Sequence, residues 1–480
     1  MSYETVIGLE IHVQLATRSK LFCADSTAFG AAPNTQVSAI SLAHPGTLPR
    51  LNRRAVDFAV QLGLALDCEI SPYSAFDRKN YFYADLPKGY QITQDLHPIC
   101  RKGAIRWMTE QGASRQCAIH HIHLEEDAGK SIHDQSPTES MIDLNRAGVP
   151  LLEIVTEPEL RSAAEASACL EAIRRLVRWL GVSDGNMEEG SLRCDVNVSV
   201  RPSGSERLGT RCEIKNVNSF RFVRRAIEHE AARQIDILQN GGRIEQETRG
   251  FDAATGTTYS LREKEQAHDY RYFPEPDLPP IILQKADIEL IQSEMPRLPR
   301  AVEQQLLDTL ALPPADVAVL CADRDTAFYF LDLTEQLPAT PPRALANFVV
   351  QRVKPWADTS DRPLADYPLD STAIGAFLGL IESGKLSASA AAQRLLPALL
   401  EHPSTPPEAL ATSLDLLQSA DTGFLDQLAD EVLARFPDKV AEYRKGKKGL
   451  IGFFMGELMK ASKGKAEPGA ANKILSEKLG

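Results

Sequence analysis

The sequence has no cysteine cluster, no long apolar run, few aromatic residues and no common nucleotide-binding loop. Each absence removes a class of function. Its eight cysteines stand singly at 23, 68, 100, 117, 169, 194, 212 and 321. That dispersion suits reduced, structural thiols and speaks against a disulfide framework or a zinc cluster. Met1-Ser2-Tyr3-Glu4 does not begin a secretion signal, and no apolar stretch approaches membrane-spanning length. The expectation is a soluble, cytoplasmic protein without a membrane partner. Gly464-Lys465 lacks both the upstream glycine and the following hydroxyl of a P-loop. There is no Gly-x-Gly-x-x-Gly after a strand, no Gly-x-Ser-x-Gly elbow and no serine-rich glycine loop of the amidase kind. His229-Glu230 lacks the second histidine of a zinc-protease helix and reads as helix surface. Nucleotide chemistry, if present, must run through metal ions and charged side chains.

Positive charge is also short. Lys and Arg number 53 against 65 Asp and Glu, a net charge of −12, which excludes non-specific nucleic-acid binding by the whole surface. The deficit is uneven: Arg435 to Lys478 holds eleven basic residues against five acidic ones, about +6. A basic end on an acidic chain fits either a confined polyanion contact or a solvated lysine-rich helical face.

What is present begins at residue 6. In Val-Ile-Gly-Leu-Glu-Ile-His-Val-Gln-Leu, Ile7, Leu9, Ile11, Val13 and Leu15 alternate with Gly8, Glu10, His12 and Gln14. Period-two alternation predicts a strand with one buried face, and its other face carries a carboxylate and an imidazole side by side. Glu-x-His is the chemistry of hard cations and proton transfer. Residues 119–127 repeat it, with His121, His123, Glu125 and Asp127 on one face. Leu192–Arg201 and Thr210–Lys215 read as a hairpin whose polar face holds Arg193, Asp195, Asn197, Arg211, Glu213 and Lys215. Glu153 sits inside the apolar run 149–155, where a carboxylate needs a partner. A metal is one answer; a salt bridge to Arg146, Arg193 or Lys215 is the other.

A chain of 480 residues with 43% hydrophobic content exceeds one core and predicts two or three domains. Helices fit 162–180 and 222–240. Prolines 274, 276, 279, 280, 296 and 299 mark a domain exit. Beyond about 296, apolar residues recur at helical spacing in 342–355, 370–382, 387–400 and 425–436. A composition shift near 419–423 sets off a terminal module. The expected fold class is α+β: a mixed-sheet domain over 1–295, a helical domain over 296–419 and a helical tail over 420–480. In the tail, Gly452 and Gly456 lie one turn apart on a predicted helix over 449–460, which serves close helix packing or contact with an RNA backbone.

The run Asn145-Arg146-Ala147-Gly148-Val149-Pro150-Leu151-Leu152-Glu153-Ile154-Val155 resembles the signature of the B subunits of the tRNA-dependent aspartyl/glutamyl amidotransferases. So do residues 8–13, 45–49, 86–91 (Leu-Pro-Lys-Gly-Tyr-Gln), 123–130 (His-Leu-Glu-Glu-Asp-Ala-Gly-Lys), 270–278 (Tyr-Arg-Tyr-Phe-Pro-Glu-Pro-Asp-Leu) and the terminal 459–466. The match spans the chain in order. It implies a cradle-like catalytic domain, a helical domain and a tail that helps hold tRNA. It implies a heterotrimer with a glutaminase of the amidase type (the A subunit) and a small wrapping protein (the C subunit), acting on misacylated tRNA. Carried over by position, the catalytic residues are Glu10, His12, Glu125 and Glu153, and Asp195 and Glu213 join them as Mg²⁺ ligands. Lys88 and Lys215 are the phosphate contacts for ATP, and Lys460, Lys463 and Lys465 the tRNA contacts. Many relatives carry a zinc knuckle as Cys-x-Cys then Cys-x-x-Cys; here those positions are Cys23, Asp25, Ser38 and Ser41. One thiol cannot make a tetrahedral thiolate site, so no structural zinc is expected.

The reaction so implied is ATP-dependent phosphorylation of the side-chain carboxylate of Glu-tRNA(Gln) or Asp-tRNA(Asn), followed by amidation with ammonia from the partner. Two other readings use the same residues differently. A metal-dependent phosphohydrolase or nuclease needs no amidase partner, and the long family-like runs count against it. A non-catalytic tRNA scaffold explains the basic tail but not Glu10, His12, Glu125 and Glu153 together.

Overall fold

In the computed structural model the alternating N-terminal segment is one twelve-residue strand, β1 (Tyr3–Gln14), at the middle of a ten-stranded mixed sheet. The structure describes every residue except 1, 110–111, 134–135, 137, 216, 263–269, 419–421, 463–465 and 467. The other strands of the sheet are β2 (Glu69–Ile70), β3 (Cys100–Arg101), β4 (Ala104–Met108), β5 (Ser114–Glu126), β6 (Pro150–Thr156), β7 (Leu192–Pro202), β8 (Cys212–Lys215), β9 (Thr248–Asp252) and β10 (Thr257–Arg262). Their order is β10-β9-β8-β7-β1-β6-β5-β3-β2, with β4 beside β5. Within this order only β8 and β9 run parallel.

Burial explains the register. Ile7, Leu9, Ile11 and Val13 are buried with Leu152 and Ile154 of β6, Ile122 and Leu124 of β5, and Cys194, Val196 and Val198 of β7. Helices α1 (Arg53–Ala65), α2 (Ala163–Leu180) and α3 (Phe220–Gln239) supply the facing side of this core. Each large apolar side chain so buried contributes about 2 kcal/mol. A one-residue slip of β1 would drive Glu10 and His12 into that layer, so the alternation fixes which residues face outward. Ser162 caps α2 by accepting from Glu165 N, and Gly181 ends it at φ 71°; Ser219 caps α3 through Phe222 N. The two helices lie within two residues of their expected bounds.

A three-stranded flap of Asp77–Asn80, Tyr90–Thr93 and Phe273–Pro274 belongs to the same unit. It joins segments almost 200 residues apart: Arg78 makes a bidentate pair with the buried Glu275, at 2.7 and 2.8 Å.

One reading of the sequence is corrected here. Glu230 is not helix surface but fully buried. Its carboxylate accepts from Arg233 at 2.7 and 2.9 Å, Gln234 at 2.8 Å and Thr258 at 2.9 Å, with Arg249 3.2 Å away. Burial alone would raise its pKa, but these donors hold it below the usual carboxylate value. The partners on β9 and β10 arrive from later in the chain, which the helical pattern of α3 alone does not reveal.

The positions expected as a former zinc knuckle form a hydrogen-bonded knot. Asp25 accepts from Ser38 N at 2.8 Å and from the Ser41 hydroxyl, and Cys23 Sγ lies 3.4 Å from Ser41 Oγ. Lys20, fully buried, donates to Gln36 O at 2.8 Å and Leu144 O at 3.3 Å beside the same Ser41. One thiol, one committed carboxylate and a neighbouring ammonium do not suit a Zn²⁺ ion.

The chain divides into two compact units, 1–302 and 303–480. Among the described residues the second unit is entirely helical. The expected single helices over 342–355 and 387–400 are each interrupted by a π-helical turn, Val349–Val353 and Ala391–Leu395. Pro355 and Pro397 follow just after; a proline lacks the N–H that would close the preceding α-turn, and the backbone widens there. The tail packs Leu425, Ala429, Val432, Phe454, Leu458, Leu475 and Leu479 into a core of its own. Gly452 and Gly456 do not serve close helix packing among the described residues: both are exposed, and a methyl group at either would meet open space.

Glu230→Gln should therefore destabilise the first unit by about 3 kcal/mol, because Arg233 and Arg249 lose the more buried of their two carboxylate partners and keep only Glu247. Since the folded-state pKa of Glu230 is depressed, its contribution is complete above the unfolded carboxylate pKa of about 4.3 and is lost as pH falls through the folded value. Urea melts of both proteins at pH 7 and pH 3.5 check this: the gap between them should be wide at pH 7 and narrow in acid.

Candidate active site

The polar face of the sheet gathers side chains from five neighbouring strands. Backbone register places Glu10 opposite Asp195 of β7, His12 opposite Glu153 of β6, and Glu153 opposite His123 of β5. Asn197 of β7 faces Glu213 of β8. Two trios result, each with ligand atoms within 4.8 Å of one another: His12, Glu125 and Glu153, and Glu10, Asp195 and Glu213. All six residues expected to hold metal are thus brought together, three by three.

The trios differ in charge. In the first, His12 Nε2 lies 3.3 Å from Glu153 Oε2 and 3.7 Å from Glu125 Oε1. His123 Nε2 lies 3.4 Å from both carboxylates. Burial pushes both histidines toward the neutral form, but Glu153 and Glu125 outweigh it: His12 is raised, and His123 is raised to about 10. Burial likewise favours protonated Glu153, yet His123 and His12 hold it well below the ordinary value. The two histidines and Glu153 thus favour one another's charged forms. Glu153 therefore pairs with histidines, not with Arg146 or Arg193, which lie against Asp127 at 3.6 and 2.9 Å.

The second trio is not balanced. Lys215 Nζ is 2.6 Å from Asp195 and 2.9 Å from Glu213, and these anions raise its pKa against the effect of burial. Lys215 and Thr248 in turn keep Glu213 depressed despite its burial. Among the described residues Glu10 has no ion-pair partner of this kind; Asn197 donates to it at 2.8 Å. Burial and the charges of Glu153, Glu213 and Asp195 push its carboxyl up. At such spacing two carboxylates repel by about 3–4 kcal/mol at an effective dielectric near 20. Glu10 is the acid least offset: Lys215 and Arg211 act on Glu213, Lys215 also on Asp195, and Lys79 lines the same cavity. An all-oxygen donor set suits Mg²⁺ or Mn²⁺, and the histidine of the first trio is compatible with the same ions.

His12, Lys79, Glu153, Asp195 and Lys215 line both of two adjoining cavities of about 320 and 370 Å³. Lys79, from the flap, is a site residue that the sequence does not announce. Glu125 and Glu153 help keep its ammonium charged although burial opposes that. The strand Asp77-Arg-Lys-Asn80 is polar throughout, without a periodicity to mark it.

Lys88 is not brought into either trio. Its ammonium is held by the buried Glu126, and it lines a separate small cavity beside Lys20 and Cys23. Lys460 lies in the second unit on helix Ile451–Ala461, 2.9 Å from Glu457. Lys463 and Lys465 lie outside the described residues.

Comparison with known proteins places this geometry in a class. Residues 5–289 match the model of the GatB/GatE catalytic domain, and residues 329–479 that of the GatB domain. The chain is 49% identical over 482 residues to the B subunit of aspartyl/glutamyl-tRNA(Asn/Gln) amidotransferase from Geotalea uraniireducens, covering all of both chains. It is 46% identical to the protein of the same name from Myxococcus xanthus, over all of this chain and 99% of the relative. With that of Bordetella petrii it shares 47%, over the whole of both. The chain belongs to the family of aspartyl/glutamyl-tRNA(Asn/Gln) amidotransferase B subunits.

Because Glu153 and Glu125 favour the protonated form of His12, and a metal ligand must be a neutral imidazole, cation binding there should release protons. Mn²⁺ affinity should rise from pH 6 to pH 8, and calorimetry in buffers of different ionisation enthalpy should report proton release. His12→Asn should flatten that slope.

Proposed function

We propose that the chain is the activating subunit of a glutamine-dependent tRNA amidotransferase, a carbon–nitrogen ligase that turns Glu-tRNA(Gln), Asp-tRNA(Asn) or both into the amide. The observation that carries this reading is the pair of acidic trios on one sheet face, in a chain whose whole length follows the family.

A carboxylate is a poor electrophile at neutral pH. In the proposed sequence, a side-chain carboxylate oxygen of the Glu or Asp that is esterified to tRNA through its α-carboxyl attacks the γ-phosphorus of ATP, and ADP leaves. Ammonia then adds to the acyl carbon of the resulting acyl phosphate, and phosphate departs with the C–O bond electrons. Phosphoryl transfer depends on positioning and charge neutralisation more than on covalent help. Glu10, Asp195 and Glu213 would hold one divalent cation and His12, Glu125 and Glu153 a second; when bound, Mg²⁺ supplies positive charge to the phosphate oxygens. Lys215 holds Asp195 and Glu213 in place by ion pairs and adds a charge at the rim. Lys79 adds an ammonium to both cavities. Lys88, tied to Glu126, supports the turn that precedes the flap strand Tyr90–Thr93.

The partners in this reading are an amidase-type glutaminase, the A subunit, which releases ammonia from glutamine, and a small C subunit. The complex works in the cytoplasm. Among the described residues no helix is long and apolar enough to cross a membrane. The tail over 420–480, with Lys460, Lys463 and Lys465, forms the polyanion contact for tRNA. Zinc has no part in the scheme.

Glu125→Gln tests the assignment in the assembled complex. It keeps side-chain volume and removes one anionic ligand. Both ATP turnover and amide formation should fall at least about a hundredfold, about 2.7 kcal/mol in the barrier, while circular dichroism shows the fold retained, although His12 and His123 lose one carboxylate partner. Near-normal ATP turnover would remove Glu125 from the reacting site.

A further inference from the structure

Large exposed aromatic side chains are uncommon on this chain, and several crowd together on and beside the flap. Phe82 is 84% exposed, Tyr83 60%, Phe273 44% and Tyr272 41%. They are not scattered. Tyr83, Tyr81, Tyr270 and Tyr272 form a continuous belt of rings, each edge-to-face with the next, at centroid distances of 5.7, 6.1 and 6.1 Å. The middle of the belt reaches the acidic site: Tyr81 lines the cavity of His12, Glu125 and Glu153, and Tyr270 that of Glu10, Asp195 and Glu213. The Lys79 ammonium lies 4.8 Å from the Tyr270 ring centre and faces both cavities. The two ends of the belt, Tyr83 and Tyr272, are open to solvent.

We propose that this tyrosine belt is the stacking platform for the unpaired terminal adenosine of the tRNA, holding the base while the esterified amino acid reaches the acidic trios. This rests on the function proposed above. The chemistry selects the ligand. Single-stranded RNA is held by aromatic faces on which bases stack, helped by a cation for the phosphate, and such platforms are open. A mononucleotide or small cofactor is instead enclosed, with most of its surface buried in a cavity. Rings exposed at 60% and 41%, continuous with a reacting site and carrying one ammonium at their centre, match the open form. The adenine of ATP and the surface of a partner protein are the competing occupants.

The test is equilibrium binding by the assembled complex of two RNAs: the intact tRNA and the same tRNA lacking its terminal adenosine. The wild type should prefer the intact RNA by about tenfold, the scale of one stacked base. The double variant Tyr83→Ala/Tyr272→Ala should bind both alike, at the wild-type level for the shortened RNA. The double variant Tyr83→Phe/Tyr272→Phe should keep the preference, since stacking needs the ring and not the hydroxyl. In steady state the Ala variant should raise KM for charged tRNA and leave KM for ATP unchanged. Absence of any wild-type preference, or its survival in the Ala variant, overturns the proposal. A raised KM for ATP with the preference intact assigns the belt to the nucleotide, and loss of the partner proteins on gel filtration with the preference intact assigns it to the assembly; either overturns it too. The binding readout needs no turnover, so a complex that shows the preference but makes no amide refutes the proposed reaction and leaves the platform standing.

Discussion

Everything at this site depends on one constraint: β1 can be paired in only one register. Its apolar face is locked into the core with β5, β6 and β7, and that lock fixes Glu10 against Asp195 and His12 against Glu153. Antiparallel partners stand about 5 Å apart at Cβ, so the sheet forces like charges together that would otherwise separate. The hydrophobic energy of the core, about 2 kcal/mol for each large buried side chain, outweighs the repulsion.

The two trios meet that constraint in different ways. In the first, His12 and His123 lie against Glu125 and Glu153. In the second, Lys215 and Arg211 serve Asp195 and Glu213, and Glu10 is left with a raised carboxyl. The flap brings Lys79, Tyr81 and Tyr270 to the same cavities, and is itself anchored by the Arg78–Glu275 pair.

The strands of the polar face are legible in the sequence because one side of each is buried and the alternation is therefore strict. That Glu10, Glu125, Glu153, Asp195 and Glu213 converge is not: their spacing along the chain says nothing of sheet order, and the family resemblance carries that step. Lys79 leaves no mark, since the short strand Asp77–Asn80 is polar on both faces and acquires its role only from the cavity it lines. Glu230 misleads because an exposed-looking helical position is covered by β9 and β10 from later in the chain. Gly452 and Gly456 show the converse, small residues that suggest a packed neighbour where the described chain provides none. The prolines at 355 and 397 are visible, but the π-helical turns they impose are a geometric consequence that periodicity alone misses.

The central claim is that the acidic trios activate a carboxylate carried on RNA. The most direct measurement is ATP consumption by the reconstituted complex with charged tRNA and an ammonia source supplied together, singly or not at all. The account predicts stoichiometric ADP and amide when both are supplied, and negligible ADP without misacylated tRNA. Rapid ATP hydrolysis in the absence of charged tRNA, or amide formation without ATP, would contradict it.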